Sequence, residues 1–229
     1  MEARYVKNMQ MLSPEENESL AKYRVCVVGC GGLGGYIIEM LGRLGIGHIT
    51  AVDGDVFDES NLNRQLLSDM EALGKSKAEA AVRRMLSVNP LIRVEAVRER
   101  VTWDNGEEIL KGHDVVVDAV DNIEGRFILQ ELCSRLGVPL VHGAIAGWYG
   151  QVTTIYPEDR TLDIVYLKRV SRGQEDELGN PSFTPALVAA VQVSEVLKIL
   201  LGRGELLRKK LLHIDLLYQE YTVIEFARS

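Results

Sequence analysis

The chain alternates between two hydrophobic rhythms. Arg24-Val25-Cys26-Val27-Val28 is a short β-branched run that stops at glycines, and Ile37, Ile38, Met40, Leu41 and Leu44 then recur at helical spacing up to Gly45. A second run, His48-Ile49-Thr50-Ala51-Val52, ends at Asp53. The pattern predicts strand, glycine turn, helix and strand, a βαβ unit with a right-handed crossover. Ahead of it, Ser13-Pro14-Glu15-Glu16 places a capping serine, a proline at the first helical position and a glutamate three residues on, which predicts a short helix into Lys22.

The alternation continues downstream. Residues 76–87 predict a helix, 92–97 a strand, 115–117 a fully buried strand, 123–136 a helix and 140–142 a further strand. This order implies an α/β protein, with a Rossmann-like, mostly parallel sheet and helices on both faces. From Gly150 the character changes: 151–156 reads as a strand of an antiparallel C-terminal extension, 185–201 as a helix, and 211–214 with 221–226 as a terminal hairpin. Residues 157–181 are charged and contain glycines, so they are expected to form a mobile loop. With no internal repeat, residues 1–229 read as one domain, of which 1–22 form an N-terminal arm and helix.

Composition narrows the classes. At 229 residues the chain suits one sizeable α/β domain. No apolar run approaches the roughly 20 residues of a membrane-spanning helix, and the first residues lack an apolar signal-type core, so the expectation is a cytoplasmic protein without a membrane partner. A net charge of −7 argues against a nucleic-acid footprint, which needs clustered Lys and Arg. Cys26, Cys30 and Cys133 form no C-x-x-C pair, so neither a disulfide framework nor a tetrahedral zinc site is expected.

Gly29-Cys30-Gly31-Gly32-Leu33-Gly34 matches G-x-G-x-x-G directly after a strand and at the mouth of a helix. Its glycines permit a tight turn and close backbone approach, while unpaired helix N–H groups and the helix dipole attract phosphate. Asp53 ends the second strand, where an acidic side chain can bond ribose hydroxyls. These features alone say "nucleotide" and leave NAD, FAD and ATP open.

Three further motifs separate these ligands: Gly54-Asp55-Val56-Phe57-Asp58-Glu59-Ser60-Asn61-Leu62-Asn63-Arg64-Gln65, then Gly74-Lys75-Ser76-Lys77, and Asp118-Ala119-Val120-Asp121-Asn122. In these, and in the glycine loop before them, the chain resembles the E1-like (ThiF/MoeB/HesA) superfamily of ubiquitin-like and sulfur-carrier-protein adenylyltransferases, from about Arg4 to Leu201. The resemblance implies that ATP and Mg²⁺ are used to adenylate the C-terminal glycine carboxylate of a sulfur-carrier protein ending in Gly-Gly, for sulfur transfer in molybdopterin- or thiamine-type biosynthesis. It assigns phosphate contacts and catalysis to Arg64 and Lys77, a polar phosphate contact to Asn61 and the metal to Asp121. Gly29, Gly31, Gly32, Leu33, Gly34, Asp53, Asp55, Gln65 and Asn122 complete the implied nucleotide set. Adenylation expels pyrophosphate from the α-phosphate, and cationic Arg64 and Lys77 suit the charge that develops there.

The chain also departs from that pattern. Relatives often carry two zinc-binding C-x-x-C pairs, or a cysteine in the loop after the Asp-Asn element that forms a thioester or persulfide; this chain has neither, which implies adenylation alone. Cys30, at a helix N-terminus where a thiol can be acidified, is the one cysteine with a reactive reading. Arg4-Tyr5-Val6-Lys7-Asn8 resembles the segment that reaches a partner subunit's ATP in homodimeric relatives, with Lys7 where they have arginine and Asn8 where they have glutamine. Lysine keeps the charge and loses the bidentate fork, and Arg4 stands nearby as a compensating cation. Competing readings are an NAD- or FAD-binding redox or regulatory protein and a non-catalytic scaffold. His113, His142 and Trp148 read as structural residues, with His142 near the expected site.

Overall fold

The computed structural model describes residues 2–167 and 178–226. The arm Ala3–Asn8 is a 3-10 helix, and α1 (Pro14–Ser19) follows with the capping box read from the sequence, Ser13 bonding Glu16 in both directions. A 3-10 turn, Leu20–Lys22, completes that helix. Then come β1 (Arg24–Val28), α2 (Gly32–Leu44), β2 (His48–Val52), α3 (Lys77–Val88), β3 (Arg93–Val97), α4 (Gly106–Leu110), β4 (Val115–Asp118) and α5 (Ile123–Leu136). The chain ends through β5 (Leu140–Ala146), β6 (Tyr149–Ile155), α6 (Thr161–Val165), α7 (Phe183–Leu201), β7 (Lys210–Asp215) and β8 (Glu220–Glu225).

All eight strands form one sheet in the order β3-β2-β1-β4-β5-β6-β7-β8. The first five run parallel, and β6, β7 and β8 continue the sheet antiparallel. Strand alternation divides the core. Val25 and Val27 of β1 face α2, α3 and α7, while Cys26 and Val28 face α4, α5 and α6. Burial on both faces is why Val25–Val28 of β1 and Val115–Val117 of β4 read as continuous apolar runs. The strand order reverses between β1 and β4, and open α/β sheets bind ligands beyond the strand ends at such a point.

Three expectations change. Within 157–181, residues 161–165 form α6, whose Leu162 is fully buried; 168–177 lie outside the described residues. β5 extends to Ala146, and α4 was not anticipated, since five residues display too little periodicity to be recognised. Finally, α7 is long and apolar enough by length and composition to cross a membrane. It packs on α2, β5 and β6, and its buried Glu195 accepts from Thr154 Oγ1 at 2.5 Å and Leu207 N at 2.8 Å, the contacts of a core helix.

Candidate active site

Beyond the C-terminal ends of the parallel strands lies a cavity of about 980 Å³. The turn after β1 forms one wall. Gly29 has φ +96°, and a Cβ there would stand 2.4 Å from Ala119 O, so the β1 and β4 turns meet at a distance that only glycine permits. A Cβ on Gly34 would meet Gly29 O at 1.8 Å, which identifies that glycine as the packing contact between helix and turn. Gly29, Gly31, Gly32 and Leu33 line the cavity at the start of α2. Gly34 does not.

Asp53 organises the turn. Its Oδ2 accepts from Cys30 N at 2.7 Å and its Oδ1 from Asp55 N at 2.8 Å. Burial holds its carboxyl above the usual aspartate range despite those bonds. Asp55 Oδ1 accepts from Arg100 Nη2 at 2.8 Å, and its Oδ2 lies 3.7 Å from Lys77 Nζ. The bond from Arg100, with Lys77 beside it, lowers the Asp55 pKa. Lys77 opens α3 and is largely buried, so its ammonium is held at the cavity wall.

Arg64 approaches from the loop after β2, its Nη1 donating to Ser60 O at 3.2 Å and Asn63 Oδ1 at 2.9 Å. Gln65 is buried beside Gly31, and its Oε1 has no hydrogen-bond partner among the described residues. Asn61 lies outside the cavity lining. Its side chain forms a reciprocal cap with Asp58, Asn61 Oδ1 accepting from Asp58 N at 3.1 Å. Across the cavity, Asp121 is exposed and accepts from Asn122 Nδ2 at 3.3 Å, while Asn122 Oδ1 caps α5 by accepting from Gly125 N at 2.7 Å.

Sequence reasoning missed Arg100 and Arg126, both in the lining. The signals were present: Arg100 follows the end of a parallel strand, and Arg126 lies four residues after the cap of α5, on its first turn. The arrangement sets a helix N-terminus and the cations Arg64, Lys77 and Arg100 around a space whose opposite side carries Asp121, with the exposed carboxylates of Glu99 and Glu124 also at the lining. Such a site can hold a polyphosphate with a charge-balancing cation. Among the described residues no group of three or more His, Cys, Asp or Glu converges. A divalent cation here would be held by Asp121 with phosphate oxygens and water, a donor set that suits Mg²⁺.

The cysteines stand apart from this chemistry. Cys30 is fully buried, and burial reinforced by the Asp53 charge pushes its thiol well above the usual range. Cys26 and Cys133 are also buried, with their pKa values raised by desolvation. The helix N-terminus does not acidify Cys30, because the side chain points into the core cluster instead of the cavity. In the arm, Arg4 Nη1 donates to Val88 O at 3.2 Å and Asn89 Oδ1 at 2.7 Å, which engages it with the end of α3 in its own chain.

Comparison with known proteins identifies relatives, a shared fold and a family. The chain is 36% identical over 224 residues to a SAMP-activating enzyme E1 of Haloferax volcanii, covering 96% of this chain and 83% of that protein. It is 35% identical to a sulfur carrier protein adenylyltransferase of Thermus thermophilus, covering 99% and 88%. Escherichia coli MccB, crystallised with ATP, superposes with a TM-score of 0.85 at 20% identity, over 100% of this chain and 73% of that one, which shows the shared fold. The ThiF family matches residues 4–229, and the chain belongs to it.

Proposed function

We propose that this protein is an ATP-dependent adenylyltransferase that activates the C-terminal glycine carboxylate of a ubiquitin-like sulfur-carrier protein. The observation that carries this reading is one cavity in which Arg64 and Lys77 stand beside the α2 N-terminus and Asp121 stands opposite. A carboxylate oxygen of the carrier attacks the α-phosphorus of ATP, the new C–O–P linkage forms, and the bond to the bridging oxygen breaks as pyrophosphate leaves. Arg64 and Lys77 balance the charge on the α-phosphate and leaving group. The N–H groups that begin α2 receive phosphate oxygens, and Asp53 faces the ribose. Mg²⁺ held at Asp121 would shield the polyphosphate charge from the incoming carboxylate.

The names of relatives, a sulfur carrier protein adenylyltransferase and a probable molybdopterin-synthase adenylyltransferase among them, support a carrier-protein substrate, and we assign the activity to sulfur transfer in cofactor synthesis of the molybdopterin or thiamine type. The product is the free acyl-adenylate, since the three cysteines are buried and none lines the cavity. We further place the enzyme in the cytoplasm as a homodimer. Carrier-dependent exchange of labelled pyrophosphate into ATP is the test. Exchange should require a carrier with an intact C-terminal glycine, and its absence with every such carrier would remove the reading.

A further inference from the structure

The turn that carries Asp121 is held by a closed circuit of side chains. Val120 immediately precedes Asp121. Its N–H donates to Asp118 Oδ1 at 3.0 Å, and its carbonyl accepts from Arg126 Nη2 at 3.2 Å. The two gripping side chains are themselves joined: Arg126 Nη1 donates to Tyr166 Oη at 2.9 Å, Tyr166 Oη lies 3.2 Å from His142 Nε2, and His142 Nδ1 lies 2.6 Å from Asp118 Oδ2. The circuit thus leaves one residue by its N–H and returns to it by its carbonyl, through four side chains from β4, α5, β5 and the end of α6.

Donors and acceptors alternate without conflict around this path. Burial lowers the His142 pKa against the opposing pull of Asp118, which favours the neutral ring. With its Nδ1 proton directed to Asp118, Nε2 is an acceptor for the Tyr166 hydroxyl proton. Tyr166 Oη accepts from Gln151 Nε2 as well, at 2.7 Å, and Arg126 lies over the Tyr166 ring at 5.4 Å. Asp118 and His142 are fully buried and Arg126 is nearly so, which makes each bond costly to leave unmade. No apolar packing requirement explains a buried carboxylate, a buried imidazole and a buried guanidinium meeting at one exposed turn.

We propose that His142 and Tyr166 are positioning residues for Asp121, holding the β4–α5 turn through Asp118 and Arg126 so that the carboxylate meets the nucleotide already oriented. This rests on the adenylation reading for what Asp121 does, but the rigidity of the turn can be measured without it. Tyr166→Phe retains the ring and deletes the hydroxyl that joins Arg126 to His142. In the free protein, amide exchange across residues 119–122 should accelerate about tenfold, while the amides of β1 and β2 stay as they were. In pyrophosphate exchange, kcat should fall about tenfold with KM for ATP changed less than about threefold, because transition-state alignment is lost before ground-state binding. His142→Gln keeps a donor for Asp118 and an acceptor for Tyr166, so it should retain more of both properties than His142→Leu. Unchanged exchange at 119–122 in Tyr166→Phe, or acceleration spread evenly over the sheet, would overturn the proposal. A wild-type enzyme inactive with every carrier would overturn the adenylation reading alone, and the amide measurement would still decide the circuit.

Discussion

Asp121 is exposed and bonded to a neighbouring side chain, so replacing it leaves no buried group unpaired. Asp121→Ala should therefore reduce pyrophosphate exchange by about a hundredfold or more while the melting curve stays put, since a charge-stabilising group is lost and no packing is. Parallel rate and melting measurements separate the two. The three thiols make the opposite case: Cys30 alone looks reactive in sequence, and burial silences it together with Cys26 and Cys133. A disulfide reagent should titrate almost none of them in the native protein and all 3 in denaturant. Rapid native labelling that maps to Cys30 would reopen a covalent role for that residue. Location at the cavity was legible where chemistry and motif coincided, as at Arg64, Lys77 and Asp53, all of which line it. Asn61 was not legible, because a side-chain amide suits phosphate and a helix cap equally well, and only the fold shows it capping a turn with Asp58.

At the scale of elements, the turn after β4 joins two functions in adjacent residues, since Asn122 starts α5 next to the carboxylate at Asp121. Asn122→Ala should cost about 1 kcal/mol in denaturant unfolding through the lost cap, and Asn122→Ser should recover most of it. Gly29→Ala should cost about 1–3 kcal/mol from backbone strain and also displace the Ala119 carbonyl, so nucleotide affinity should fall with stability. The parallel strands and long helices could be read directly because their apolar periods last four residues or more. The short α4 and α6 could not, because their helicity comes from packing against α5 and not from their own pattern. Nor could the far half of β5, where glycine and alanine carry little strand signal and pairing with β6 decides.

For the molecule as a whole, the cavity discriminates between cofactors that share a glycine loop. Cations at Arg64, Lys77 and Arg100 exceed what a pyrophosphate bridge needs and suit a triphosphate, so ATP with Mg²⁺ should bind at least about tenfold more tightly than NAD in calorimetry. Tighter NAD binding would favour the redox reading. The fold class was legible from the order of periods alone, whereas Arg100 and Arg126 were hidden because they come from separate strands and helices that only the strand order brings together. That order has a further consequence for synthesis. β1 pairs with β4, Val25 beside Val115, so the two turns that meet across the cavity lie far apart in the chain. A nascent chain emerging from the ribosome carries its glycine loop, Asp53, Arg64 and Lys77 well before β4 exists to stand opposite them. The complete nucleotide site therefore forms only with this non-local pairing, and nucleotide stabilises the fold most strongly at that late step.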